Sequence, residues 1–154
     1  MIKLVKAKGV GKTPLGAFDN ALYNCGIHNH NLIYLSSVIP SGQDVEIVER
    51  YGDSQRWGSK LYVVMAHEES DIEAQASIGW LFDKASGNGL FVEHEGIHSI
   101  KDNEDTLDDL AKTRGITDYE KNSYGINVKR DELGEEYVCA MVVAVFEEED
   151  WRTL

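Results

Sequence analysis

Residues 73–82 read EAQASIGWLF. The alanines suit a helix, yet Ala74, Ala76, Ile78, Trp80 and Phe82 alternate with Glu73, Gln75, Ser77 and Gly79, and a period of two belongs to a strand. That reading decides the fold. A strand whose apolar face is built partly from small side chains lets a second sheet approach closely, so sheet is expected to stack on sheet.

The flanking segments extend the pattern. Downstream, GNGL turns into a strand LFVEHE (90–95); upstream, KLYVVMAHE (60–68) is another. Tyr137 to Phe146 is a long apolar strand, and its apolar run from Val138 is too short for a membrane span. Residues 2–7 suit a first strand, residues 31–35 a second, and Tyr124 to Val128 a short one. Two helices interrupt them. In the first, Thr13 is a good N-cap, Pro14 fits the first helical position and Gly26 the stop. Leu15, Phe18, Leu22 and Cys25 form its expected apolar stripe, and Asp19 falls on the same stripe. The second, Asn103 to Thr113, carries Leu107, Leu110 and Ala111 and closes at Gly115. Two helices and about seven strands indicate an α+β chain with helices covering sheet faces. No linker or short repeat divides residues 1–154, so one domain is expected.

Composition bounds the function. With 154 residues, 42% hydrophobic and 27% charged, the chain is of ordinary globular type. The net charge of −12 argues against a nucleic-acid partner and is compatible with a cationic small molecule, although solubility explains it equally. The start MIKLVKAKGV interleaves charged and apolar residues, unlike a secretory signal. Cys25 and Cys139 lack any CxxC spacing, so reduced, buried thiols in a cytoplasmic protein are expected.

Residues 31–40, NLIYLSSVIP, run an apolar strand into two adjacent hydroxyls, Ser36 and Ser37, before Pro40. A strand end entering a turn accounts for the pair alone. Asn31, Asp19 and the Glu93/Glu95 pair likewise have plain readings: a strand-start residue, a helix acid bonded to nearby backbone, and a solvated strand face. His28 and His30 are spaced as HxH but lack an evident third metal ligand. His94 and His98 are expected at the surface or an interface. Gly87-Asn88-Gly89 is a turn, since no GK[ST] follows it.

In combination these residues carry a family likeness. GKTPLGAFDNALYNCGIHNHNLIYLSSVIP (11–40) resembles the pyruvoyl-dependent arginine decarboxylases in its TPL-AFD-AL helix, Gly-Ile turn, N-NLI segment and SS-I/V-x-P processing site. GLFVEHEG (89–96) resembles their second motif, an apolar strand ending in E-x-E-G. The resemblance implies a four-layer α/β/β/α sandwich that cleaves itself between Ser36 and Ser37. A β chain 1–36 and an α chain 37–154 would result, with Ser37 converted into a covalent pyruvoyl group, so neither pyridoxal phosphate nor a metal is implied. It makes Asn31 the donor to the oxyanion that forms when Ser37 Oγ attacks the Ser36 carbonyl, an effect worth ~3 kcal/mol for comparable donors. It makes Glu93 the proton donor, a role that requires its carboxyl to hold a proton near neutrality, which burial favours. Asp19 would take a guanidinium in two-pronged geometry and Leu15 would line the substrate stem.

The implied reaction converts L-arginine to agmatine and carbon dioxide through a Schiff base. The implied assembly is a homotrimer or a dimer of trimers with sites at subunit interfaces. Two alternatives stay open on the residues: a pyruvoyl decarboxylase of another amino acid such as histidine, and an unprocessed, non-catalytic relative that binds a cationic ligand.

Overall fold

The computed structural model describes residues 1–52, 56–130, 134 and 136–152. Among the described residues, nine strands and two helices follow in the order β1 (Ile2–Gly11), α1 (Pro14–Cys25), β2 (Asn31–Tyr34), β3 (Val38–Ile39), β4 (Val45–Ile47), β5 (Lys60–Ser70), β6 (Glu73–Asp83), β7 (Gly89–Glu95), α2 (Ser99–Arg114), β8 (Tyr119–Lys129) and β9 (Tyr137–Glu149). One sheet has the order β2-β5-β9-β1-β4, the other β3-β7-β6-β8. Helix α1 lies on the first sheet and α2 on the second, which makes four layers, α/β/β/α.

Period-two alternation builds the middle of the sandwich. Ala74, Ala76, Ile78 and Trp80 of β6 meet Val138, Ala140, Val142 and Ala144 of β9 and Val64 and Ala66 of β5 in one buried cluster. The opposite face of β9, with Cys139, Met141, Val143 and Val145, packs under α1. Burial pushes the Cys25 thiol up to about 12 and raises Cys139 as well, so both stay protonated at neutral pH.

The caps of α1 are those expected: Thr13 Oγ1 accepts from the Gly16 N–H at 2.9 Å, and Gly26 closes the helix at φ +83°. Its buried face differs from the expected stripe. Ala17, Ala21, Leu22 and Cys25 are buried, whereas Leu15 is 73% exposed and Asp19 is exposed too. The cause lies in β1, where a Cβ on Gly9 would stand 2.1 Å from the Ala17 carbonyl oxygen. Glycine lets the helix sit close through its alanines, and that rolls the larger Leu15 and the neighbouring Asp19 outward.

Other boundaries shift. Helix α2 starts at Ser99 and not Asn103, β8 runs through Tyr119–Lys129, and β1 continues to Gly11. Strands β3 and β4 are additions, two and three residues long, too short to show a period. Among the described residues no helix is long and apolar enough to cross a membrane.

Candidate active site

The chain changes sheets at the two serines. Strand β2 runs parallel to β5, with Tyr34 beside Val63, and the Leu35 N–H still donates to the Val63 carbonyl at 2.9 Å. Three residues later Val38 is paired with Leu90 in the other sheet. Ser36 and Ser37 therefore form the crossing, and two features mark it. Ser37 is the only described non-glycine residue at positive φ, +75°, a conformation that stores strain in a residue with a side chain. Its Oγ donates to Glu93 Oε2 at 3.1 Å, while its carbonyl accepts from the Phe91 N–H at 2.8 Å.

Glu93 reaches this point because of strand parity. Phe91, Glu93 and Glu95 lie on the face of β7 that looks toward the first sheet, and Ile78 and Ala76 stand beside the two acids. The acids are nonetheless exposed, since β3 covers only Gly89 and Leu90, and β2 leaves β5 after Val63. Between the two uncovered edges lies a cavity of ≈ 400 Å³ lined by Met65, Ala66, His67, Glu93, His94 and Glu95. A β-bulge at Tyr62/Val63 sets aside Phe146, whose ring meets Phe91 edge-on at 5.8 Å beneath the crossing.

Other site residues fall into place unevenly. The Asp19 side chain makes no hydrogen bond or ion pair with the described residues and is exposed, so within the chain it is neither buried on the apolar stripe nor bonded to nearby backbone. Leu15 is exposed on the same side of α1, and Phe18, between them, sets its ring 4.7 Å from His67 of the cavity wall. Asn31 is not brought to the serines. Its side chain donates to the Gly58 carbonyl at 2.8 Å, and β2 carries the chain about 10 Å away by residue 34, two residues before Ser36. An amide side chain cannot cover that distance within the chain.

His30 is almost wholly buried on Glu148, 2.6 Å from its Oε1, and the His28 ring meets that of Tyr23 at a tilt, 4.7 Å between centroids, so HxH does not form one centre. Among the described residues no group of three His, Cys, Asp or Glu stands together as a metal site. His94, expected at the surface or an interface, is half-buried with Nδ1 2.6 Å from Asn103 Oδ1, because α2 closes over Gly79 and brings the buried Asn103 onto β7. His98 is exposed ahead of α2.

The sequence reading passed over His67, Glu69 and Tyr34. His67 Nδ1 lies 2.7 Å from Glu69 Oε2, and the Tyr34 hydroxyl donates to Met65 Sδ at 3.6 Å. Burial first, and then the Glu69 carboxylate, pushes the Tyr34 phenol up. The available signal was parity: Leu61, Val63 and Met65 face α1, and a histidine and an acid continue that face.

A four-layer sandwich with a strained serine at the sheet crossing, turned onto a carboxylate, defines a chain of the pyruvoyl-dependent decarboxylase type. Comparison with known proteins makes the assignment particular. The family profile "Pyruvoyl-dependent arginine decarboxylase" matches residues 1–150, and this chain belongs to that family. Proteins of that name are similar to it: one from Halobacterium salinarum is 37% identical over 119 residues, covering 75% of this chain and 70% of the relative. One from Pyrococcus horikoshii is 33% identical over 135 residues, 82% of this chain and 84% of the relative, and one from Methanocaldococcus jannaschii 35% identical over 112 residues, 72% and 67%.

Proposed function

We propose that this chain cleaves its own Ser36–Ser37 bond and then decarboxylates L-arginine to agmatine. The observation that carries the reading is the Ser37 Oγ to Glu93 contact at the strained crossing. Glu93 takes the Oγ proton as Oγ attacks the Ser36 carbonyl carbon, and it returns the proton to the Ser37 nitrogen as the amide bond breaks. An ester then links Ser36 to the Ser37 side chain. Removal of the Ser37 Cα proton expels the Ser36 carboxylate, and hydrolysis of the resulting dehydroalanine releases ammonia and leaves the pyruvoyl group. The relief of a positive φ favours the step.

The residues present fit that group. Phe91 N–H holds the residue-37 carbonyl on β7, which fixes the new chain end against Glu93. The pyruvoyl ketone supplies an acceptor for the substrate amine and for the electrons released with carbon dioxide. Around it, Glu93 delivers a proton to the substrate Cα, Asp19 pairs with the guanidinium and Leu15 flanks the aliphatic stem. The exposure of Glu93, Asp19 and Leu15 in the single chain supports an assembly, a trimer or dimer of trimers, in which a neighbouring copy covers the site. Asn31, too far from its own Ser36, then serves the oxyanion of a neighbour. Two buried free thiols suit the cytoplasm.

The test is incubation of purified protein with L-arginine. Release of agmatine and carbon dioxide is expected, with loss of activity when carbonyl reagents are added. Failure to turn over arginine while turning over another amino acid would overturn the substrate assignment.

A further inference from the structure

The cavity beside Ser37 has a β5 wall that neither processing nor guanidinium binding uses. His67 lies on that wall, and Glu93 lines the same cavity from β7. The ring is held on two sides: Nδ1 faces Glu69 Oε2 at 2.7 Å, and Phe18 packs at 4.7 Å. A carboxylate only accepts, so Nδ1 carries the proton and Nε2 is left as the working nitrogen. No other side-chain hydrogen bond of His67 exists among the described residues, and its side chain is 35% exposed, open to solvent at one edge.

Decarboxylation consumes one proton per turnover, because Cα takes up a proton in place of the carbon dioxide that leaves. A Glu93 that has given its proton is a carboxylate, and it must be recharged before the next substrate. We propose that His67, oriented by Glu69, recharges it. The His67 imidazolium gives its Nε2 proton to water in the shared cavity, that water gives a proton to the Glu93 carboxylate, and the neutral ring takes a proton from solvent at its open edge. One proton enters for each carbon dioxide released, and both residues return to their starting charge. Glu69 of β5 and Phe18 of α1 face the ring, Glu93, His94 and Glu95 of β7 share its cavity, and Tyr34 of β2 lies within the influence of the Glu69 carboxylate. The inference rests on the decarboxylase reading given above.

The experiment compares His67→Gln, His67→Phe and Glu69→Gln with the wild type in extent of self-cleavage and in kcat and KM for arginine against pH. His67→Phe keeps a ring against Phe18 and removes the proton. Expected are full cleavage, KM near the wild-type value and kcat lower by about 10- to 100-fold, the deficit widening as pH rises. Added imidazole should restore part of the kcat of His67→Gln. Wild-type kcat across the pH range in both His67 variants overturns the relay, as does a loss confined to KM or one that imidazole leaves unchanged. A wild-type protein that is cleaved yet inert toward every amino acid overturns the decarboxylase reading itself, and the relay with it.

Discussion

The two ends of β2 contrast sharply. At its start, His30, Ser59, Arg56 and Glu148 form a closed polar knot: Glu148 Oε1 accepts from His30 Nε2 at 2.6 Å and from Ser59 Oγ at 2.9 Å, and Arg56 pairs with the other oxygen. Asn31 and the Trp151 indole both donate to the Gly58 carbonyl at 2.8 Å. The knot holds the residue types of a hydrolase triad. Its order is not that of a triad, because Ser59 donates to the carboxylate and not to the histidine, and that carboxylate is already engaged by His30 and Arg56. At the other end, Ser37 has one side-chain partner, Glu95 and Asp19 have none among the described residues, and the backbone is strained. Satisfied polar groups fasten a fold, whereas chemistry sits where groups are left open toward a cavity.

The contrast yields a graded series of expectations. Glu93→Gln removes the base for Ser37 and the proton donor for the substrate, and should slow both self-cleavage and turnover by about 10²- to 10⁴-fold, read by gel and by carbon dioxide release. Asn31→Ala should slow cleavage by about 10²-fold if it serves a neighbour's oxyanion. Co-assembly with Ser37→Ala chains, which still supply Asn31, should restore the rate; no recovery would detach Asn31 from the mechanism. Asp19→Asn should cost arginine about 2 to 4 kcal/mol in kcat/KM, spare citrulline and leave cleavage intact. An equal loss on both substrates would make Asp19 structural. At the closed end, Glu148→Ala should lower stability by about 3 kcal/mol, seen in urea unfolding, because it leaves the buried His30 Nε2 without its carboxylate, while cleavage of the folded fraction stays near the wild-type rate.

Much of this was legible in the sequence, and for identifiable reasons. Helix α1 announced its ends through Thr13, Pro14 and Gly26, and β6 announced its inner face through strict alternation. The orientation of α1 was not legible, because Gly9 sits on another element and lets the alanines, not the larger Leu15, take the buried side. Ser36–Ser37 stood out by motif, yet its position between sheets depended on β3, whose two residues carry no period. His67 was hidden in an apolar strand, and only the third dimension shows that β2 leaves that strand before reaching it. The family resemblance joined Asn31 to the serines, and within one chain an extended strand separates them.

The central claim is that the crossing at Ser36–Ser37 is built to break itself, and intact-mass measurement of the purified protein beside its Ser37→Ala variant tests it most directly. The account predicts two wild-type fragments, 1–36 and 37 to the C-terminus, the larger lighter by one ammonia than simple hydrolysis would leave it, and a single uncut chain for Ser37→Ala. A wild-type chain that stays whole after prolonged incubation, or a Ser37→Ala chain cut at the same bond, would contradict it.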